Sequence, residues 1–68
     1  MTTNLRTIRR SRGLNLNQVA TLTECHYSFL SYIERRKRRV GLRLAATLAL
    51  LFGVAVDELF DEEMRARC

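Results

Sequence analysis

Apolar side chains recur at helical spacing along the first part of the chain. Leu5 and Ile8 lie one turn apart and are followed by Gly13, which predicts a first helix that stops at that glycine. Asn15 is a suitable N-cap for a second helix over residues 16–23. A tight turn must follow, because the next apolar period begins only a few residues later.

The third predicted helix runs from about residue 26 or 27 to residue 35. At 100° per residue, Leu30 and Ile33 define its buried side. Hydroxyl, phenol and guanidinium groups fall on the opposite side, at Ser28, Ser31, Tyr32 and Arg35. Such groups can hydrogen-bond to base edges or to phosphates, whereas a simply solvated helix more often carries Glu and Lys pairs.

The fourth predicted helix, residues 42–52, is apolar on two sides and stops at Gly53. One stripe is the expected core face: Leu42, Ala45, Leu48, Ala49 and Phe52. A second stripe lies on another side: Leu44, Thr47, Leu50 and Leu51. A helix that is apolar nearly all round must be buried nearly all round, so this second stripe predicts an interface with a partner, most simply a homodimer.

A short fifth helix is expected over residues 56–60, with Val56, Leu59 and Phe60 closing the core. The last eight residues contain two acid–base pairs at i,i+4, which leaves two alternatives open: the helix continues, or the segment frays. The sequence contains no proline, linker or repeat, so we expect one all-α domain over residues 1–68, with 61–68 as a short charged tail.

The charge distribution favours a polyanionic partner. Twelve basic residues, eleven of them Arg, oppose seven acidic residues and give a net charge of +5. Residues 1–43 carry ten basic and two acidic side chains, whereas residues 44–68 carry two and five. Five consecutive cations, Arg35 to Arg39, repel one another and follow the third helix directly. Because guanidinium groups match phosphates and guanine edges, these residues are candidate phosphate contacts: Arg35, Arg36, Lys37, Arg38 and Arg39.

Several classes of protein are excluded by the same reading. The N-terminus lacks the apolar core of a signal peptide, and the most apolar run is too short to cross a bilayer, so we expect a cytoplasmic protein that does not enter a membrane. Two cysteines are too few for a disulfide scaffold. The adjacent Cys25 and His26 lack the partners of a catalytic pair, and with Cys68 they lack the short spacings of a zinc site. We therefore expect no enzyme activity, metal, cofactor or small-molecule ligand.

Three blocks of sequence, "LRTIRRSRGL", "SFLSYIERRKRR" and "LALLFGVAVDELF", resemble the Xre or Cro/cI family of phage-repressor-like transcription regulators. The family pattern is LRxxRxxRGLTQxxLA, then SxSYISxIERGxR, then LxxIAxxLGVSxDELF, and the resemblance runs without a gap from Leu5 to Phe60. It implies a compact five-helix lambda-repressor-like domain that contains a helix-turn-helix. It also implies that the third helix, about 27–35, enters the major groove of double-stranded DNA.

By position, the resemblance assigns base contacts to Tyr27, Ser28, Ser31 and Tyr32. It places Phe29 beside the groove and pairs Arg9 with Glu34 as a structural ion pair. Four positions depart from the family pattern. Leu16 replaces a glutamine that binds phosphate, which leaves that contact to Asn17 and the amides of the second helix. Arg36 replaces a glycine, and Ala55 replaces a serine N-cap for which Asp57 is the available substitute. His26 stands where the family has the serine or threonine N-cap of the third helix.

Together these features predict a sequence-specific transcription regulator that binds a palindromic operator in double-stranded DNA as a homodimer. The alternative is an antitoxin-like or other protein-binding module, in which the apolar stripe of the fourth helix contacts an unlike chain. RNA binding is a weaker third option, since an α-helix does not fit the deep, narrow major groove of duplex RNA.

Overall fold

The computed structural model describes residues 2–68, which form five helices. They are α1 (Asn4–Ser11), α2 (Leu16–Thr23), α3 (Tyr27–Glu34), α4 (Leu42–Phe52) and α5 (Val56–Leu59). The predicted bounds of α2 and α4 are confirmed. No strand occurs in the described part of the chain, although Phe60 and Ala66 form one isolated antiparallel bridge. The all-α prediction with a helix-turn-helix arrangement of α2 and α3 is confirmed.

The four longer helices end in the same way. After each, one residue takes a left-handed conformation, and the next residue donates its amide to a carbonyl five residues back, at 2.8–3.2 Å. Gly13 and Gly53 take this position after α1 and α4. After α2 and α3 it falls to Glu24 and Arg36, at φ 56° and 65°. Both non-glycine residues therefore flank α3, and each costs about 1–2 kcal/mol relative to an unstrained backbone.

One hydrophobic core joins all five helices. Ile33, Leu48 and Leu59 are fully buried, and Phe52 is 1% exposed. The remaining buried apolar residues complete this cluster: Leu5, Val19, Ala20, Leu30, Val40, Ala45, Ala49, Phe60 and Ala66. Because Leu30 and Ile33 are buried on one side of α3, its opposite side must face outward.

Leu42 was wrongly assigned to the core face of α4. Its side chain is 74% exposed, because it occupies the first turn of the helix, beyond the reach of the other elements. The remaining four members of that stripe are buried.

The C-terminal residues neither continue α5 nor fray, so both alternatives for this segment were wrong. α5 ends at Leu59, and Phe60 is extended at φ −132° and ψ 145°. The chain then turns through Met64, at φ 62°, and returns as far as the start of α1. Asp57 does not cap α5; instead, the Glu58 carboxylate accepts the amide of Ala55 at 3.0 Å. Within residues 2–68 no helix has the length and apolar character needed to span a membrane.

Candidate nucleic-acid interface

The turn between α2 and α3 sets the direction of α3. The Cys25 amide donates to the Ala20 carbonyl at 3.0 Å, which closes α2. His26 is the N-cap of α3, where its Nδ1 accepts the amide of Ser28 at 3.1 Å. The imidazole thus performs the capping role of a serine or threonine hydroxyl, in the tautomer that carries its proton on Nε2.

The outward side of α3 presents polar groups that are unobstructed by the rest of the chain. Tyr27 and Tyr32 are 49% and 45% exposed, and both are large aromatic side chains outside the core. Ser28 and Ser31 lie between them, partly exposed, and the four residues line one shallow depression with Arg35. This surface combines hydroxyl donors and acceptors with a cation, which is the chemistry that base-edge recognition requires.

Arg35 is held over this surface. Its guanidinium carbon lies 5.2 Å from the centroid of the Tyr32 ring, and its Nε donates to the Ser31 carbonyl at 3.3 Å. Both contacts preorganise the cation at the edge of the depression.

A buried ion pair fixes the inner side of α3. The Arg9 guanidinium donates through Nε and Nη2 to the two carboxylate oxygens of Glu34, at 2.9 and 2.8 Å. Arg6 Nε donates to the same carboxylate at 3.0 Å, and Arg9 Nη1 donates to the Leu14 carbonyl at 2.8 Å. The hydrogen bond to Glu34 raises the pKa of Arg9 against the opposing effect of its burial. α1 and α3 are therefore held together, with each guanidinium nitrogen of Arg9 and each carboxylate oxygen of Glu34 in a hydrogen bond.

The five cations from Arg35 to Arg39, here called the basic loop, are all exposed. Arg38 stacks its guanidinium over Phe29, 5.3 Å from the ring centroid. Arg36 differs from the other four, because its Nη2 lies 3.2 Å from the Asp61 carboxylate. Val40 ends the loop as a buried residue, 3% exposed.

The start of α2 carries backbone amides that favour an anion. Asn15 Oδ1 accepts the amide of Gln18, and Gln18 Oε1 accepts the amide of Asn15, both at 2.8 Å. The amides of Leu16 and Asn17 also belong to the first turn, where a helix provides no acceptor of its own. Leu16 packs partly buried against the core, and the Asn17 side chain is exposed.

A family model described as a helix-turn-helix domain matches residues 2–62. The chain belongs to this helix-turn-helix family, of the Xre and Cro/cI type. No curated protein and no solved structure matches it. A helix-turn-helix domain binds DNA, and the match indicates no catalytic family. α2 and α3 are the two helices of the motif.

The helix-turn-helix domain exposes an apolar face on α4 that differs in part from the expected stripe. Leu50 is 84% exposed and Leu51 is 37% exposed, while Leu44 is partly buried against the core. Leu42 and Ala46 are exposed one turn apart on the Leu50 side. The expected interface residues Leu44, Thr47, Leu50 and Leu51 therefore do not share one uniformly exposed surface, and Leu42 extends the exposed apolar area.

Cys25 and His26 have structural contacts in the helix-turn-helix domain. The Cys25 sulfur lies 3.1 Å from the Thr23 hydroxyl, and the thiol packs against the core. In the described residues, no group of three or more His, Cys, Asp or Glu side chains lies close enough to hold a metal ion.

Sequence reasoning missed the contacts of the C-terminal residues with the basic loop. Met64, Arg65 and Ala66 were expected in a helix or a frayed tail. The signal that could have identified them is the alternation of Met64 and Ala66 with Arg65 and Arg67, which has the period of an extended segment with one buried side.

Proposed function

We propose that the protein is a sequence-specific transcription regulator that acts as a homodimer on a palindromic operator in double-stranded DNA. The observation that carries this proposal is the outward side of α3, where Tyr27, Ser28, Ser31 and Tyr32 are accessible together beside Arg35. In the major groove, these hydroxyl groups would donate to and accept from base edges.

The cations that follow α3 and the amides at the start of α2 support the docking of α3 into the major groove. Lys37, Arg38 and Arg39 follow the recognition helix and are exposed. Asn17 and the first-turn amides of α2 provide a further anchor for phosphate. Phosphate contacts at these positions and at Arg35 would fix the position of α3 in the groove, whereas the base contacts would select the sequence.

The size of the domain favours two copies on one operator. Its Cα atoms span 26 × 24 × 21 Å. Successive major grooves on one face of the duplex are about 34 Å apart, so a single copy places one recognition helix in one groove. The exposed apolar side chains Leu42 and Leu50, two turns apart on α4, supply a surface that a second copy would cover.

The same apolar face also supports the alternative, in which an unlike protein chain covers α4 and the DNA-binding side is unchanged. The two proposals differ in the state of the purified protein. A homodimer forms from the pure chain, whereas the alternative predicts a monomer that gains mass only with its partner.

Selection of bound sequences from random duplex DNA tests the proposal. We expect a consensus of two inverted half-sites whose centres lie about 10 base pairs apart, or a multiple of that spacing. A consensus with a single unrepeated site would contradict the palindromic homodimer. Enrichment of no sequence at all would contradict sequence-specific binding.

A further inference from the structure

Residues 60–68, here called the C-terminal segment, form part of the fold. Ala66 is fully buried and pairs with Phe60 in an antiparallel bridge. The Asn4 amide donates to the Arg67 carbonyl at 2.6 Å, and the Arg67 amide donates to the Leu59 carbonyl at 2.8 Å. These contacts tie the segment to α1 and to α5.

The same segment contacts the basic loop at both of its ends. At the first end, Arg36 Nη2 lies 3.2 Å from Asp61 Oδ2, and the Arg36 carbonyl accepts from Arg65 Nη1 at 3.1 Å. At the second end, the Val40 amide donates to the Met64 carbonyl at 2.9 Å. Asp61 is itself oriented, because its Oδ1 accepts the amides of Glu63 and Arg65 at 2.9 and 3.1 Å.

These contacts add to the order of a stretch whose charges and backbone oppose it. Five neighbouring cations repel one another, and the Arg36 backbone is in the left-handed region, at φ 65°. With positions 36 and 40 both held, only Lys37, Arg38 and Arg39 project between the two attachment points. A loop that is ordered before binding loses less conformational entropy when it meets DNA.

We propose that the C-terminal segment positions the basic loop for phosphate binding, and that Arg36 is a positioning residue that makes no phosphate contact. The inference rests on the proposed function, since it assumes that the loop meets DNA. Residues 63–68, which supply Met64 and Arg65, lie beyond the part of the chain that matches the family model. The contacts of Met64 and Arg65 therefore come from outside the matched part, whereas Asp61 lies inside it.

Arg65 and Arg67 provide a matched pair of variants. Each variant, Arg65→Ala and Arg67→Ala, removes one positive charge from the same segment. Arg65 reaches the basic loop, whereas Arg67 Nε donates to the Asp57 carbonyl of α5 at 2.6 Å. We expect Arg65→Ala to weaken binding of the selected duplex about three- to tenfold more than Arg67→Ala. This is the expected effect of one lost hydrogen bond that orders the loop. Both variants should keep the same dependence of affinity on salt.

Amide hydrogen exchange of the free protein gives a readout that does not depend on DNA. We expect Arg65→Ala to speed exchange at the Val40 amide, which donates to the segment, while amides in the core of α4 keep their protection. Arg67→Ala should leave exchange at Val40 unchanged. Equal exchange at Val40 in both variants would overturn the proposal.

Arg36 is tested against Arg39, an exposed arginine of the same loop. Arg39→Ala should reduce the slope of log affinity against log salt by about one, the value for one lost phosphate contact. Arg36→Ala should weaken binding but leave the slope unchanged. An equal reduction of the slope by both variants would show that Arg36 contacts phosphate and would overturn its assignment.

These outcomes separate the inference from the proposed function. A wild-type protein that binds no duplex would contradict the proposed function, whatever the exchange data show. A wild-type protein that binds DNA, with Arg65→Ala and Arg67→Ala equal in affinity, would contradict the inference alone. If Arg65→Ala does not fold, the comparison of Arg36→Ala with Arg39→Ala still decides whether Arg36 is a positioning residue or a phosphate contact.

Discussion

The carboxylate of Glu34 accepts three hydrogen bonds from two arginines of α1. It is 2% exposed, it binds both the Arg9 fork and Arg6, and its backbone carbonyl accepts the Thr3 hydroxyl at 2.7 Å. A buried ion pair contributes little net stability when complete, but removal of one partner leaves the other charge buried and unpaired. The role of Glu34 is thus to hold α1 against α3, at a distance from the surface that would meet DNA.

Glu34→Ala should lower the free energy of unfolding by about 3–5 kcal/mol, because Arg9 is left without its carboxylate. The double variant Arg9→Met with Glu34→Leu should recover much of that loss, since it removes both charges from the interior. Urea denaturation measures both values. A loss below about 1 kcal/mol for Glu34→Ala would be incompatible with the buried pair.

Glu24 is strained in the turn that precedes α3, at φ 56°. Glu24→Gly should raise the free energy of unfolding by about 1 kcal/mol, because glycine adopts the left-handed conformation without strain. The gain is smaller than the full strain, since glycine also makes the unfolded chain more flexible. Glu24→Ala keeps the strain and is the control, with a change near zero. Equal stabilities for the Gly and Ala variants would contradict the strain.

At the scale of elements, local signals predicted helices well where a cap and a stop were both present. Asn15 and Gly53 mark the ends of α2 and α4 because a capping side chain or a left-handed residue acts within one turn. Leu42 shows the limit of periodicity. The wheel places it on the core side of α4, but only the packing of the other helices decides how far along a helix the core extends.

The exposures of the α4 side chains identify Leu50 as the best position at which to test dimerisation, a choice that the sequence alone does not give. Leu50→Glu should convert the proposed homodimer to a monomer in size-exclusion chromatography with light scattering, and the fold should be unaffected because Leu50 is 84% exposed. Thr7→Glu adds the same charge at an exposed position on α1 and should leave the dimer intact. A Leu50→Glu protein that remains dimeric would exclude this face as the interface.

At the scale of the whole molecule, the C-terminal segment was not predictable from local pattern. Its contacts join residues far apart in sequence, such as Asn4 with Arg67 and Val40 with Met64. The i,i+4 pairing of Asp61 with Arg65 suggested a helix, yet Asp61 Oδ1 accepts the backbone amide of Arg65 instead. The exposed surface of α3 could be predicted from the sequence, because the period of a single helix determines which side chains share its face. The path of the C-terminal segment could not, because it depends on how all of the elements pack together.

Protonation of Asp61 should lower the free energy of unfolding at acidic pH. Its pKa lies below the ordinary value, first because the Arg65 amide donates to it, and further because of the Glu63 amide and the charges of Arg36 and Arg67. A lowered pKa means that the ionised form stabilises the fold. The contribution is complete above the unfolded pKa of about 3.9 and is lost as the pH falls through the lower, folded pKa.

Asp61→Asn should therefore lose stability at neutral pH and show a smaller further loss below about pH 4 than the wild type. Denaturation curves from pH 7 to pH 2 measure this difference. Glu62→Gln, an exposed neighbour with the same change of charge, is the control and should follow the wild type. Parallel curves for Asp61→Asn and wild type would contradict the assignment.

The most direct test of the central claim compares the sequences selected by two variants from random duplex DNA. The Ser31→Ala/Tyr32→Ala variant should change the preferred bases within each half-site, since it removes groups from the reading side of α3. Arg39→Ala should bind more weakly but select the wild-type consensus. An unchanged consensus for Ser31→Ala/Tyr32→Ala, at wild-type affinity, would contradict base recognition by this face of α3.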